Sequence, residues 1–264
     1  MNRTSDNKVA LISGAVGGIG GALCEKFSAG GYVLAALDLN EDQLNIAASQ
    51  FEPKNFHSLP CNLTDSDAVQ HAVEKIEESV GPITALVNNA GFITETGKLT
   101  DMTPEKWALE VSVNLNGAYN LTSAILPFMM KRRAGSVVSI SSVNALMGFG
   151  HAGYSAAKAG LISYGKSVAM EYGPFGIRSN IVLPGTVATP AWRKRADADP
   201  AIFEKLKMWY PLGRIATPED IANAAWFLAS REAAAISGAV LNVDAGLTAG
   251  NHLFAAELTQ ESFS

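Results

Sequence analysis

The sequence predicts an α/β fold: one doubly wound parallel sheet of about seven strands, with helices on both faces. Short β-branched runs alternate with longer stretches rich in Ala, Glu and Lys, which is the pattern of repeated βαβ units. Several of the runs are apolar almost throughout, as expected for strands covered on both faces. No linker, low-complexity stretch or internal repeat divides the 264 residues, so we expect a single domain over residues 1–264.

Seven segments supply the predicted strands. They are Val9–Ser13, Tyr32–Asp38, Phe56–Pro60, Ile83–Asn88, Ser136–Ser141, Ile177–Leu183 and Val240–Val243.

Capping residues mark several helix starts. Asn40 precedes Gln43 by three positions, which predicts a capping box. Thr103 and Thr217 each place a hydroxyl directly before a proline, and proline suits the first helical position. Two long helices are expected within Leu109–Lys131 and Ala152–Tyr172. An irregular insertion near residues 187–215 is expected to form a substrate lid, and residues 250–264 a C-terminal tail.

The composition argues against several classes of protein. Hydrophobic residues make up 48% of the chain and charged residues 17%, which is globular composition. A net charge of −5 leaves no surplus of Lys and Arg to neutralise phosphates, so we expect no nucleic-acid partner. The first eight residues are polar, and no apolar run approaches the roughly 18 residues of a membrane span. We therefore expect a cytoplasmic protein with no membrane partner. Cys24, Cys61 and the four scattered histidines predict neither a disulfide framework nor a metal site.

A glycine cluster follows the first predicted strand and opens a helix. It contains Gly14, Gly18, Ile19 and Gly20. Glycine allows a pyrophosphate to approach the backbone closely, and the start of a helix presents free N–H groups to it. Such a cluster alone is equally compatible with an ordinary tight turn.

Asp38 ends the second predicted strand, 18 residues after Gly20. This is close to the separation at which a dinucleotide-binding fold places the acid that binds the adenosine ribose. A carboxylate accepts hydrogen bonds from a ribose diol but repels a 2′-phosphate. Residues 15–17 and 39–40 contain no Arg or Lys, so the sequence favours NAD over NADP. The alternative is an ordinary acid that precedes a helix.

Tyr154 and Lys158 lie four positions apart in a predicted helix and share one of its faces. A nearby ammonium stabilises a phenolate and lowers the tyrosine pKa from its reference value of about 10, which permits proton transfer. Such a pair alone is often no more than a surface pair. Here, however, the preceding strand ends in Ser141 and Ser142, at the sheet edge where open α/β folds bind their ligands.

Over about residues 8–248 the chain resembles the short-chain dehydrogenase/reductase family. Its glycine motif is similar to that of the family, with Ser13 in place of the usual threonine. The other matching motifs are Asn88-Asn89-Ala90-Gly91, Asn114, the Ser142, Tyr154 and Lys158 set, and Pro184-Gly185 with Thr189.

The resemblance implies a Rossmann-type fold and an NAD-dependent oxidoreductase. The enzyme would transfer a hydride between NAD(H) and a secondary alcohol or ketone, or a sugar-type hydroxyl, of a small substrate that can be anionic. Tyr154 would be the acid/base, Ser142 would bind the reacting oxygen, Lys158 would also hold the nicotinamide ribose, and Asn114 would support a water path. The implied cofactor-binding residues are Gly14, Gly18, Ile19, Gly20, Asp38, Asn62, Leu63, Asn89, Ala90, Gly91, Tyr154, Lys158, Pro184, Gly185, Val187 and Thr189.

Two positions depart from the family pattern. Ser142 precedes Tyr154 by twelve positions, one fewer than usual, so Ser141 stays a rival for its role. We prefer Ser142, because a deletion in the Gly148–Gly150 loop would explain the spacing. Asn62 stands where an aspartate normally contacts adenine, and its amide oxygen can still accept the exocyclic N–H.

The substrate pocket is expected around Ser142, Asn144, His151 and Tyr154, with Met147 in its wall and residues 186–209 as its cover. Arg193-Lys194-Arg195 in this cover would attract an anionic group, although a solvated helix face is the more ordinary explanation of these residues.

The resemblance implies a homotetramer, or a dimer, built on the two long helix faces. Small residues at positions 156, 157, 159, 160 and 165 would allow close helix approach. Phe254 and Leu258 in the tail would either dock on a neighbouring subunit or fray.

Two other functions stay open. One is an NAD-binding regulator or sensor with little turnover, which would leave the Ser-Tyr-Lys-Asn set unexplained. The other is a sugar-nucleotide epimerase or dehydratase, whose larger substrate domain this chain has no room for.

Overall fold

The structure is a computed structural model that describes residues 8–94 and 98–260, and it contains one sheet of seven parallel strands. The strands are β1 (Val9–Ser13), β2 (Val33–Asp38), β3 (Phe56–Pro60), β4 (Ile83–Asn88), β5 (Gly135–Ile140), β6 (Ile177–Pro184) and β7 (Val240–Val243). The seven predicted strands are confirmed, and no bound differs from the prediction by more than one residue.

The strand order is β3-β2-β1-β4-β5-β6-β7, and each neighbouring pair is parallel. The chain leaves β1 in one direction to form β2 and β3, and then returns to place β4 on the other side of β1. This reversal opens a crevice at the carboxyl ends of β1 and β4, the place where open α/β sheets bind ligands.

Ten α-helices are found in the described residues. They are α1 (Gly18–Ala29), α2 (Glu41–Ala48), α3 (Ser66–Ser79), α4 (Pro104–Val111), α5 (Gly117–Arg132), α6 (Ala152–Tyr172), α7 (Pro190–Ala198), α8 (Ile202–Lys207), α9 (Pro218–Ala229) and α10 (His252–Thr259).

Both faces of the sheet are covered, as the predicted doubly wound fold requires. Ala10 and Ile12 of β1 belong to an apolar cluster with α1, α2 and α9. Val9 and Leu11, on the opposite face of the same strand, pack in a second cluster with α3, α5 and α6. Both clusters are buried, which holds the loops at the carboxyl edge on a rigid base.

The predicted helix starts are confirmed, but only half of the capping box predicted at Asn40 forms, because the Asn40 N–H donates to Asp38 rather than to Gln43. Asn40 Oδ1 accepts from the backbone N–H of Gln43 at 2.9 Å, and Thr103 Oγ1 accepts from that of Lys106 at 3.3 Å. Thr217 forms a reciprocal capping box with Asp220.

The prediction of irregular structure over residues 187–215 is wrong, because this segment contains α7 and α8. These two helices are short and charged and lack a clear apolar period, so the sequence pattern did not indicate them. The side chains of Arg193, Lys194 and Arg195 lie outside what the structure describes.

The predicted tail begins with α10, whose Phe254 and Leu258 are exposed. Its last residues, 261–264, lie outside the described range. Among the described helices, none has the length and apolar character needed to cross a membrane.

Candidate active site

The glycine loop joins β1 to α1 at the carboxyl edge of the sheet. Gly14 has φ +63°, a left-handed conformation that suits glycine. A Cβ on Gly14 would lie 2.8 Å from the Cα of Ala90, and one on Gly20 would collide with the carbonyl oxygen of Gly14. A side chain at either position would therefore block this turn.

The start of α1 faces the segment that follows β6. A Cβ on Gly18 would lie 2.8 Å from the Cβ of Thr189. The N-cap residue is Gly17, which supplies no side-chain cap, so the first-turn N–H groups at Gly18 and Ile19 have no capping side chain. This is the arrangement that a phosphate group needs at a helix start.

Ser13 and Asn89 link the glycine loop to the loop after β4. Ser13 Oγ accepts from the backbone N–H groups of Asn89 and Ala90, at 3.1 and 3.2 Å. The Asn89 side chain donates to the carbonyl oxygens of Ser13 and Gly14, at 3.1 and 3.0 Å. Serine thus provides the hydroxyl that the family threonine would provide, and the two loops form one wall.

Asp38 lies beside the glycine loop. Its Oδ2 accepts from the backbone N–H of Val16 at 3.2 Å, and its Oδ1 accepts from those of Leu39 and Asn40 at 2.8 and 3.4 Å. A carboxylate offers about four acceptor positions, so these contacts leave capacity for a ribose hydroxyl.

Asn62 differs from its expected arrangement. Its Oδ1 already accepts from the backbone N–H of Thr64 at 3.1 Å and from Thr64 Oγ1 at 2.9 Å. A carbonyl oxygen has two lone pairs, so an adenine contact through this oxygen requires the Thr64 hydroxyl to turn away, and the contact stays a prediction. Leu63 is buried, and its carbonyl oxygen accepts from Asn120 at 2.8 Å.

Tyr154 and Lys158 lie on the same face of α6, as predicted. Lys158 Nζ lies 5.6 Å from the centre of the Tyr154 ring and donates to the carbonyl oxygen of Ile140 at 2.9 Å. Lys158 is buried, although lysine rarely is. The end of β5 therefore fixes the ammonium beside the phenol.

Burial dominates the electrostatics of this pair. It raises the pKa of Tyr154 above its usual range, while the hydrogen bond with Ser142 acts in the lowering direction. The net shift is therefore a raising rather than the expected lowering, because desolvation of the phenol is its largest cause, and the lowering contribution of Lys158 stays a prediction. Burial also lowers the pKa of Lys158 to about 8.

The two serines after β5 have different partners. Ser141 Oγ donates to the carbonyl oxygen of Lys158 at 2.8 Å. Ser142 Oγ is hydrogen-bonded to Asn144, and the hydroxyl is near enough to the Tyr154 phenol to act on its pKa in the lowering direction. Only Ser142 therefore presents its hydroxyl to the phenol.

Asn114 lies in a π-helical turn, Ser112–Asn116, that joins α4 to α5. Its Oδ1 accepts from the N–H of Phe92 at 3.1 Å, and its Nδ2 donates to the carbonyl oxygens of Phe92 and Glu110 at 2.7 and 2.8 Å. A Cβ on Gly91 would lie 3.2 Å from Asn114 Oδ1 and 3.5 Å from Lys158 Nζ. Both polar atoms thus border the space beside Gly91, where the predicted water path would run.

The segment after β6 returns to the crevice. A Cβ on Gly185, which follows Pro184, would lie 3.2 Å from the Cα of Asp244. The buried residue Val187 pairs with Ala216 in an isolated bridge. These contacts, with that between Gly18 and Thr189, bring the segment against the glycine loop.

The residues expected to bind substrate lie at the start of α6 and in the loop before it. Asn144 donates to the carbonyl oxygen of Gly150 at 3.3 Å and to Ser155 Oγ at 3.2 Å, and its Oδ1 accepts from Ser142 at 3.3 Å. His151 has φ +53°, and its buried Nδ1 has no hydrogen-bond partner within the described chain. Asn144 thus shapes the loop around Ser142, and a direct substrate contact stays a prediction for both residues. Met147 is exposed.

The chain's residues fit a dinucleotide at this crevice. The uncapped helix start and the turn that only glycine permits provide the phosphate position, and Asp38 lies next to it. Tyr154 and Lys158 lie across the crevice, beyond Gly91. In the described residues no group of three or more His, Cys, Asp or Glu side chains is placed to hold a metal ion.

Sequence reasoning missed Glu110 and Thr94. Glu110 is fully buried, and its carboxylate accepts from Thr94 and from the N–H of Tyr154. A signal existed, because Trp107, Glu110 and Asn114 recur at helical spacing and only an unusual role places a carboxylate on such a face.

Comparisons with known proteins agree with this geometry. The sequence profile of a family described as enoyl-(acyl carrier protein) reductase matches residues 14–248. A 3-oxoacyl-(acyl-carrier-protein) reductase of Thermotoga maritima is 38% identical over 245 residues, which cover 92% of this chain and 98% of the relative.

Two solved structures resemble the chain closely. One is an oxidoreductase of the short-chain dehydrogenase/reductase family from Burkholderia thailandensis, with a TM-score of 0.92, 43% identity, and coverage of 98% of this chain and 100% of the other. The other is ElxO with NADP bound, with a TM-score of 0.88, 28% identity, and coverage of 92% and 100%.

Proposed function

The chain belongs to the short-chain dehydrogenase/reductase family of oxidoreductases, and from that premise we propose that it transfers a hydride between NAD(H) and a secondary alcohol or ketone. The observation that carries the proposal is the meeting of Ser142, Tyr154 and Lys158 at the sheet edge that also holds the glycine loop. A nicotinamide cofactor bound there would accept or supply the hydride.

In this proposal Tyr154 moves the proton. Because burial raises its pKa, the phenol keeps its proton near neutral pH. That form donates a proton to the oxygen of a carbonyl during reduction, and the phenolate takes the proton from a hydroxyl during oxidation. Ser142 would bind the same oxygen, since its hydroxyl is near enough to the Tyr154 phenol to influence its pKa.

Lys158 stabilises the phenolate that forms when the proton leaves. Its pKa of about 8 keeps the amine mostly protonated at neutral pH, despite its burial. Asn114 would hold a water beside Gly91 and Lys158, through which the proton reaches solvent.

The substrate class draws on the relatives as well as on the pocket. The Thermotoga maritima relative is a 3-oxoacyl reductase, which supports a ketone-reducing role here. We propose a small ketone or secondary alcohol, including sugar-type hydroxyls and substrates with an anionic group.

A panel assay in both directions tests the function. It should contain 3-oxoacyl esters, polyols, sugars, hydroxy acids and hydroxysulfonates, with NAD(H) and NADP(H), at neutral and alkaline pH. We expect turnover of at least one ketone and alcohol pair. NAD binding without turnover of any pair would support the regulator or sensor instead.

Asp38 supports the proposal that the cofactor is NAD rather than NADP, although ElxO was solved with NADP. The 2′-phosphate of NADP would lie against the Asp38 carboxylate, and such a like-charge contact costs several kcal/mol. The wild type should therefore prefer NAD by at least about a hundredfold in kcat/KM. Asp38→Asn keeps an acceptor for the Val16 N–H but removes the charge, and it should narrow this preference by about tenfold or more. The measurement is steady-state kinetics with both cofactors.

Asp42→Asn is a matched control, because Asp42 is an exposed acid nearby on α2. It should leave the preference unchanged. Equal use of both cofactors by the wild type would contradict the argument from Asp38.

We propose that the chain assembles as a homotetramer, or as a dimer, through the faces of α4, α5 and α6. Support comes from exposed apolar side chains on these helices, among them Trp107, Leu109, Tyr119 and Met170. We expected the small residues of α6 to allow the close approach of a partner helix, and for three of them this is wrong. Ala157 is buried, Gly165 packs against Ile181, and Gly160 packs against Leu115 of the same chain. Ala156 and Ala159 remain exposed for a partner helix.

Leu109→Glu should lower the molar mass in solution, measured by light scattering at fixed protein concentration, because a charge in an apolar interface is costly. Ile46→Glu on α2 is the control, since Ile46 is also exposed but lies on another helix. A wild-type protein with the mass of one chain would contradict the proposal.

A further inference from the structure

Glu110 stands out among the charged residues of the described chain. Its exposed fraction is 0%, and no Lys or Arg whose side chain the structure describes forms an ion pair with it. A buried carboxylate without partners is strongly unfavourable, so its contacts must supply the compensation.

Hydrogen bonds from two other elements supply it. Oε1 accepts from the backbone N–H of Thr94 at 2.8 Å and from Thr94 Oγ1 at 2.6 Å. Oε2 accepts from the backbone N–H of Tyr154 at 2.6 Å. The residue therefore connects the loop after β4 to the start of α6.

The contact with Tyr154 replaces an ordinary helix cap. The N-cap residue of α6 is His151, which has a left-handed backbone and makes no side-chain cap bond. Tyr154 is the third residue of the helix, whose N–H is a group that a normal N-cap side chain satisfies. A carboxylate also interacts favourably with the positive end of a helix dipole. Glu110 thus caps α6 from 44 positions away in sequence.

The neighbouring glycine accommodates the carboxylate. A Cβ on Gly153 would lie 2.6 Å from Glu110 Oε2. Gly153 itself is buried in the first turn of α6. Any side chain at position 153 would push the carboxylate away from the Tyr154 N–H.

Glu110 also meets the second polar element of the site. Its carbonyl oxygen accepts from Asn114 Nδ2 at 2.8 Å. This bond joins Glu110 to the π-helical turn Ser112–Asn116, which contains Asn114. One residue therefore contacts both the start of the tyrosine helix and the asparagine of the π turn.

We propose that Glu110 is a positioning residue that fixes the Tyr154 phenol relative to Ser142 and Lys158 by capping α6 from outside. The inference rests on the proposed function, since it assigns the role through Tyr154. Loss of the cap frees the first helical turn and lets the phenol shift. Misplacement of a catalytic group by about 1 Å can cost about a hundredfold in rate.

The test compares Glu110→Gln and Glu110→Ala with the wild type. Gln keeps the shape and one acceptor oxygen, so kcat should fall by about tenfold, whereas Ala should lower it by about a hundredfold. KM for the cofactor should stay within about threefold in both, because the glycine loop is untouched. Glu105→Gln, an exposed acid on the same helix, should keep the wild-type kcat.

A readout that does not depend on turnover is amide hydrogen exchange in the first turn of α6. Peptides that span residues 150–158 should exchange faster in both Glu110 variants, while peptides from α3 should not change. Unchanged exchange and an unchanged kcat in Glu110→Gln and Glu110→Ala would overturn the proposal.

A double-mutant cycle separates positioning from general loss of stability. Gly153→Ala should lower kcat in the wild-type background, because the new methyl group displaces the carboxylate. In the Glu110→Ala background the same change should have little further effect, since the atom it displaces is gone. Independent, multiplicative effects of the two changes on kcat would count against the proposal.

The outcomes also distinguish this inference from the proposed function. A wild-type protein that turns over no substrate would contradict the proposed function. If its α6 amides were still protected from exchange and lost that protection in the Glu110 variants, the capping contact itself would be supported. Turnover that depends on Tyr154 but not on Glu110 would contradict only the positioning role.

Discussion

Tyr154→Phe should lower kcat/KM by about a thousandfold and leave cofactor affinity within about threefold, since a positioned acid or base contributes roughly 10²–10⁴-fold. The substitution removes only the hydroxyl, which is the group that moves the proton. The ring still fills the buried space beside Lys158, so the fold and the glycine loop should keep their arrangement. The measurement is steady-state kinetics on the best substrate of the panel, together with cofactor titration by fluorescence.

Tyr164→Phe is a matched control on the same helix. Tyr164 is partly buried, burial likewise raises its pKa, and its hydroxyl has hydrogen-bond partners in Thr122 and Ser123. It differs in position, because its ring packs against that of Tyr119 on α5. The control should keep its activity. A Tyr154→Phe protein with more than about a tenth of wild-type kcat/KM would contradict the acid/base role.

The strands and the cofactor loop could be predicted from sequence because their signals are local. An apolar run of five or six residues already defines a buried strand, as Val9–Ser13 shows. Gly14 and Gly20 are required by the turn that they themselves form, so their spacing alone indicates it.

The features that sequence reasoning missed depend on tertiary contacts, or on the balance of several influences on one pKa. Glu110 accepts a hydrogen bond from Tyr154, 44 positions later in the sequence. Sequence patterns do not indicate which residues meet over such a separation. The net pKa shift of Tyr154 depends on how deeply packing buries the phenol, and sequence alone does not give that burial. The short contact between Asn62 and Thr64 is different, because a side chain that bonds two residues ahead is a common turn and could have been foreseen.

The π turn at Ser112–Asn116 shows the same limit within one helix. Sequence periodicity predicts one continuous helix over residues 109–131, and α4 and α5 do continue through the turn. Asn114 Nδ2 in this turn donates to the Glu110 carbonyl oxygen at 2.8 Å. Hydrophobic periodicity alone does not distinguish an α-helical from a π-helical turn, because the one residue that a π turn adds shifts the buried face of the helix only locally.

Ser142→Ala should lower kcat by about a hundredfold or more, since loss of one donor to a reacting oxygen costs roughly 10²–10³-fold. Ser142→Thr retains the hydroxyl and should recover most of the activity. Thermal stability should change little in either variant, because the hydroxyl makes only local bonds to Asn144 apart from its contact with Tyr154.

Ser141→Ala should reduce stability and leave kcat nearly unchanged, the opposite of Ser142→Ala. The two variants together test which serine binds the reacting oxygen, a choice that the shortened spacing left open. Ser141 Oγ is buried and donates to the Lys158 carbonyl oxygen, so its loss should reduce the free energy of unfolding by about 1 kcal/mol while kcat stays within about threefold. The measurements are denaturant unfolding and steady-state kinetics on both variants. If Ser141→Ala abolished turnover and Ser142→Ala retained it, the hydroxyl beside the phenol would not be the one that holds the reacting oxygen, and the deletion in the Gly148–Gly150 loop would not explain the spacing.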